Sequence, residues 1–337
     1  MDLFSTNVLA AAVGSLITPQ TFLLDNFFPT IQTEQSEEIH FDIDTGKRRI
    51  APFVSPVVAG QVVASRGFHT ATFKPAYIKD KRVFDANRPF KRAMGEQIGG
   101  SLSPDNRLRA MLANELEDQI AMVTRRMELM AAQAMRTGKV IVTGDQYPTV
   151  EVDFQRDAAL TVALTTTARW GEAGIKPLDN LQTWSLLVTQ KSGARPRTVV
   201  MDVEAWKLFA ADTDVQKQLD RFRGNATLEP VKTGAGGSYM GSVGDFDIYV
   251  DADWYVDPAD GQEKPILPAY TVILTSQEVQ GTRAFGAIRD EAAGFQAVPY
   301  FAKSWVNEDP AVRYLLMQSA PLTVPYRVNA SMGVTVR

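Results

Sequence analysis

Cysteine is absent from this 337-residue chain, which excludes disulfides and thiolate chemistry and leaves the redox compartment open. Histidine is nearly absent. His40 and His69 are the only two, too little material for a histidine-based triad or a histidine metal site. There is no excess of positive charge: 35 Lys and Arg against 39 Asp and Glu leave a net charge of −4, which disfavours a specific grip on nucleic-acid phosphates. No apolar run reaches the roughly 18 residues needed to span a membrane. The first twenty residues carry an apolar patch without a basic lead, so no secretory signal is expected, and a soluble cytoplasmic protein is the default. A Gly-x-Ser-x-Gly elbow and a dinucleotide fingerprint are both missing.

Two partial motifs also fall short. The glycines of Gly234-Ala235-Gly236-Gly237-Ser238 lack the Gly-Lys-Ser/Thr ending of a phosphate cradle, so 232–244 reads as a mobile loop. Asp245, Asp247, Asp251, Asp253, Asp257 and Asp260 form an acidic stretch. Asp251-Ala252-Asp253 begins like a calcium loop, but Tyr255 stands where the third ligand belongs and Val256 where the glycine belongs. Charges alternating along a solvated strand explain the stretch better, and incidental metal binding at 245–260 stays open. No catalytic residue, metal ligand or cofactor emerges.

What is present is ordinary globular composition, 45% apolar and 22% charged, in a chain long enough for two domains or one with long excursions. The strongest local signal is residues 103–138. Leu108, Leu112, Leu116, Ile120, Val123, Met127, Met130 and Ala134 recur at helical spacing, with no Gly or Pro between Pro104 and Arg136. Ser103, Pro104 and Asp105 suit a helix start; Arg136 and Gly138 suit its end. A helix over 104–136 is predicted, about 50 Å long.

The segments around it are mixed. Leu9–Ile17 reads as a short helix stopped by Pro19, and Leu23, Leu24, Phe27 and Phe28 form an apolar cluster that must dock on this chain or a neighbour. Ile39, Phe41 and Ile43 alternate with polar residues as a half-buried strand. Thr45-Gly46 is a turn candidate, with 48–54 as the returning strand. Pro52, Pro56, Pro75 and Pro89 mark edge strands or a free-standing hairpin, which needs another surface to lie on. Later come strands near 140–142, 149–153 and 160–164, a helix over 178–189, a strand and helices over 198–224, and strands near 244–257, 271–275 and 282–290. Without a regular βαβ rhythm this is α+β.

Four stretches, in order, carry a more specific signal. They are Val54-Ser55-Pro56-Val57-Val58-Ala59-Gly60 with Ser65-Arg66-Gly67 and Phe73 to Lys79; Asp202, Trp206, Leu208, Phe209, Leu219-Asp220 and Arg223-Gly224; Gly281, Arg283, Gly286, Ile288 and Asp290; and Trp305, Asp309-Pro310-Ala311, Arg313 and Gln318 to Leu322. Together they resemble the major capsid proteins of lambda-like tailed bacteriophages, the capsid protein E family, over residues 40 to about 325.

The resemblance implies an HK-97-type capsid fold: an N-terminal arm (1–38), an extended hairpin loop (39–100), a peripheral domain (101–159) with its spine helix, an axial domain (160–295), and a return to the peripheral domain (296–337). It also implies a structural, non-enzymatic protein that assembles as hexamers and pentamers into an icosahedral shell in the virion head. That shell is made in the host cytoplasm and encloses DNA without sequence-specific binding or membrane contact. The partners implied are scaffolding, portal, protease and decoration proteins, with scaffolding on a separate chain. Arg48, Arg49, Phe53, Arg66, Phe73, Tyr77 and Lys79 are the expected inter-subunit contacts of the hairpin, each equally readable as a local strand residue. The charged helix face, Arg109, Glu117, Arg125 and Glu128, is expected to meet solvent or a neighbour. Competing readings are a same-fold compartment with enzyme cargo and a soluble α+β enzyme.

Overall fold

A computed structural model describes residues 4–16, 18–36, 38–44, 50–51, 53, 68–84, 96, 103–144, 147–219, 237–308 and 312–337. The arm supplies helix α1 (Thr6–Ser15), the short helix α2 (Leu23–Phe27) and strand β1 (Thr30–Thr33). Strands β2 (Ile39–Asp44) and β3 (Phe68–Phe73) pair antiparallel, from Ile39 opposite Phe73 to Asp44 opposite Phe68. The partner of β2 among the described residues is therefore 68–73; the expected return strand over 48–54 lies outside the described residues except at 50, 51 and 53. Packing explains the choice: Ile39 is buried in the central core and Phe73 packs beside it. Strand β4 (Ile78–Phe84) follows Pro75.

Helix α3 (Pro104–Thr137) is the long helix that the periodicity predicts. The Ser103 hydroxyl accepts the Asn106 N–H at 3.3 Å, and Gly138, at φ 70°, closes the other end by donating to the Ala134 carbonyl at 2.9 Å. Arg156 reinforces that end, its guanidinium donating to the carbonyls of Met135, at 2.6 Å, and Arg136. Strands β5 (Lys139–Gly144) and β6 (Tyr147–Asp153) return as a hairpin against the helix, and β7 (Thr161–Ala163) follows.

Helix α4 (Pro177–Ser192), strand β8 (Thr198–Met201) and helices α5 (Val203–Ala211) and α6 (Thr213–Gln218) come next. Asp202 caps α5 through the amides of Glu204 and Ala205 and also accepts the Thr271 amide. Strands β9 (Gly237–Val243) and β10 (Phe246–Asp251) form an antiparallel pair. Two expectations are corrected here. The glycine-rich segment is ordered as a strand from Gly237, because the Phe22 ring lies where a side chain at 237 would sit, 2.3 Å from a built Cβ. The acidic stretch is not a solvated strand: β10 lies inside a sheet and Asp251 is 4% exposed. The small pair β11 (Trp254–Val256) and β12 (Glu263–Pro265) precedes β13 (Thr271–Thr275), β14 (Gly281–Phe285), β15 (Phe301–Asn307), β16 (Val312–Ser319), β17 (Pro321–Pro325) and β18 (Met332–Thr335).

Three larger apolar cores result. One lies under the six-stranded mixed sheet, ordered β7-β18-β13-β8-β10-β9, and is closed by α4, α5, α6 and the stacked rings of Trp170 and Trp184. A second joins the C-terminal half of α3 to α2, the β5–β6 hairpin, β14 and β17. The third packs α1 and the N-terminal half of α3 under the sheet β15-β16-β4. Gly333 of β18 runs so close to the end of α3 that a Cβ there would lie 1.9 Å from the Arg136 carbonyl oxygen, so only glycine fits. Mixed sheets with unevenly interspersed helices make the fold α+β.

Candidate functional site

The apolar cluster of the arm docks on this chain's own core. Leu23, Leu24, Phe27 and Phe28 are fully or almost fully buried, and β1 pairs in parallel with β14, Thr30 opposite Thr282. Arg283 fastens the turn between them, donating from Nε to the Phe28 carbonyl at 2.7 Å and from Nη2 to Asp25 at 2.7 Å. Glu128 receives the start of α2. Its two carboxyl oxygens accept the Leu23 and Leu24 amides at 2.7 and 2.9 Å.

The expectation of a solvent-facing Glu128 is thus overturned: it is 2% exposed, whereas Arg109, Glu117 and Arg125 are exposed. The reason is geometric, since the core-facing arc of α3 widens where α2 lies on it and the free amides of α2 need an acceptor. Burial pushes the Glu128 carboxyl up to about 8 against the pull of the two amides, and nearby Asp251 and Asp25 add to the rise. Burial also raises Asp251 to about 6, and its Oδ2 has no hydrogen-bond partner among the described residues.

The expected hairpin contacts separate. Arg48, Arg49 and Arg66 lie outside the described residues. Phe53 is fully exposed, as is nearby Ile50 at 94%. Phe73 faces inward against the central core. Tyr77 and Lys79 come together, the Lys79 ammonium 5.2 Å from the ring centroid. The Tyr77 hydroxyl donates to Gln318 at 3.1 Å and accepts the Arg289 amide at 2.7 Å, and burial raises its pKa. His40 meets Thr72 across the β2–β3 pair at 3.0 Å.

A groove of about 950 Å³ runs along α3 beside the start of β4, with Met122 and Leu129, Ile141 and Tyr147, and Trp254 and Val256 among its lining residues. Met122, Ile141, Trp254 and Val256 are each about half exposed. Its polar lining includes Arg125 and Arg126. Outside the groove, Arg82 ties β4 to α3 through Glu115 at 2.5 Å and Asp118 at 2.6 Å.

Among the described residues no group of three or more His, Asp or Glu could hold a metal ion, and no helix is long and apolar enough to cross a membrane. Asp257 and Asp260 are taken up by Lys264, at 2.6 and 2.8 Å. What the arrangement offers is burial, pairing and positioning: an arm clamped to a spine, exposed apolar hairpin residues and an apolar groove.

The fold is that of phage capsid proteins. The fold superposes on a crystal structure assigned to a prophage capsid protein of Escherichia coli CFT073 with a TM-score of 0.77 at 22% identity, over 98% of this chain and 99% of that one. It also superposes on the capsid of Ralstonia phage GP4 with a TM-score of 0.56 at 12% identity, over 95% and 92%. The family model for phage major capsid protein E matches residues 5–336, and the major capsid protein of Escherichia phage lambda is 30% identical over 332 residues, 96% of each chain. The chain belongs to the phage major capsid protein E family. It is a structural protein of the phage head that assembles with copies of itself into the capsid shell, not an enzyme, and both competing readings fall away.

Proposed function

We propose that this subunit assembles as hexamers and pentamers into an icosahedral head shell, with the β2–β3 hairpin reaching across a neighbouring copy. The observation that carries this reading is the near-complete exposure of Ile50 and Phe53, which the isolated chain leaves without a core. The apolar groove along α3 offers a neighbour's hairpin a complementary surface. Arg48, Arg49, Phe53, Arg66, Phe73, Tyr77 and Lys79 serve as its contact residues, with Phe73 and Tyr77 acting from within by fixing where the hairpin leaves the subunit.

The working divisions are the arm (1–38), hairpin (39–100), peripheral domain (101–159 and 296–337) and axial domain (160–295), with β18 crossing over to join the six-stranded sheet. Assembly takes place in the host cytoplasm with separate scaffolding, portal and decoration proteins, and the shell then encloses the packaged DNA. Many modest contacts repeated under closed symmetry suffice for a stable shell. Deleting residues 45–50 tests the reading. The variant is expected to give a soluble, folded subunit that forms no closed shells in negative-stain images, and normal particles would refute the hairpin's role.

A further inference from the structure

Residues 74–77 join β3 to β4, where the hairpin rejoins the subunit, and they are pinned from elements far along the chain. Pro75 is buried against Gly286, where an added Cβ would stand 2.5 Å from the Pro75 Cγ. Two residues on, the Tyr77 hydroxyl donates to Oε1 of Gln318 and accepts the Arg289 amide. Gln318 is 1% exposed, and its Nε2 donates to Oδ2 of Asp290 at 2.6 Å. The same oxygen takes the Lys303 ammonium, and Oδ1 accepts the Ala292 amide at 3.0 Å. Asp290 therefore ties β15 and β16 to the loop 286–296, which the Ile288 amide closes on the Gln296 carbonyl at 3.0 Å.

An ionised carboxylate only accepts, so Gln318 must turn its amino group to Asp290 and its carbonyl to Tyr77. That gives the Tyr77 proton a single destination and leaves a lone pair for the Arg289 amide. Every member of this relay has one orientation, and Asp290 sets it. We infer that Asp290 is a positioning residue for shell assembly: through Gln318 and Tyr77 it fixes the direction in which the β2–β3 hairpin leaves the subunit. The hairpin is a lever on a short base. Its packed end is the Ile39–Phe73 pair, three residues before Tyr77. Six-residue strands reach about 20 Å, so a tilt of about 10° at the base moves their far end by about 3 Å. A shift of that size breaks close-packed contacts. The inference rests on the reading that this hairpin reaches a neighbouring copy.

The test compares the full chain with Tyr77→Phe, Asp290→Asn and the double variant. Asparagine keeps the volume of Asp290 but can donate, which lets Gln318 turn over. The Asp290 side chain is 10% exposed, so its replacement reaches the hairpin through the relay. Amide hydrogen exchange over residues 68–79 should be about fivefold to tenfold faster in each single variant. Negative-stain images should show open or irregular particles. One shared relay makes the double variant no faster than the faster single one, whereas factors that multiply would overturn the inference. Closed shells from both single variants would also overturn it. Should Asp290→Asn fail to fold, Tyr77→Phe decides, and unchanged exchange or closed shells from it would sink the idea. Val188→Ala, in the core under the six-stranded sheet, should lower the urea midpoint yet leave closed shells; irregular particles there would reduce the effect to lost stability and overturn it. The deletion of 45–50 separates the two readings. Normal shells from the deletion refute the hairpin's role itself, whereas no shells from it beside normal shells from Tyr77→Phe and Asp290→Asn refute only the role of Asp290.

Discussion

Replacing Glu128 by glutamine is expected to reverse the order of stability between wild type and variant as pH rises. In the folded subunit the carboxyl is buried and pushed up to about 8, whereas an unfolded chain leaves it at an ordinary carboxylate value near 4.5. Its contribution is therefore complete where the group is neutral in both states, below about 4.5, and is lost as pH rises through about 8. The separation of the two values sets the size of the loss at up to about 5 kcal/mol. Glutamine cannot ionise, but it offers the Leu23 and Leu24 amides one acceptor oxygen where the carboxyl has two. That leaves one buried N–H without a partner, at a cost of about 1–2 kcal/mol.

Wild type should thus have the higher urea midpoint near pH 5 and the lower one above pH 8. Asp251, pushed up to about 6, adds a slope below about pH 6 that the two proteins share. Asp25 is paired with Arg283 at 2.7 Å in both proteins. Denaturation midpoints of the purified subunit across this range are the assay. Parallel curves for wild type and Glu128→Gln between pH 6 and pH 8 would refute the reasoning, because the variant would then have removed no ionisation.

Two further predictions concern the same helix. Leu116 has no exposed surface and packs among Leu9, Leu112, Ile120 and Leu315, so Leu116→Asp buries a carboxylate and should cost about 4 kcal/mol; an unchanged melting temperature would disprove the packing. Arg156→Met removes donors to the Met135 and Arg136 carbonyls and should cost about 2 kcal/mol, seen as faster amide hydrogen exchange confined to the last turn of α3.

The long helix was legible because its apolar period, its caps and its lack of glycine all agree locally. Glu128 was not, because a glutamate outside the Leu/Met stripe reads as a solvent residue and its partners are amides about a hundred positions earlier in the chain. The same limit governs β2. Alternation identified a strand with one buried face, but a period of two says nothing about which strand lies alongside, and the partner lies beyond residues 45–67. Glycines misled at β9, where Gly237 marks the close approach of Phe22 and not a loop. Of the expected contact residues, Phe73 packs against the central core and the Tyr77 hydroxyl is taken up by Gln318 and the Arg289 amide, partners far along the chain that composition around Pro75 does not reveal.

The place of β18 has a consequence for how the chain is made. Residues 332–335 are translated after every other strand described, yet they sit between β7 and β13, with Met332 and Val334 in the core and Gly333 against the end of α3. Until that stretch leaves the ribosome, β7 has no neighbour, β13 has an open edge, and the spine rests against a gap. A polypeptide cut short before residue 332 keeps a divided sheet with unpaired strands. A chain that stops short of Thr335 therefore exposes edges and apolar surface that the finished subunit covers.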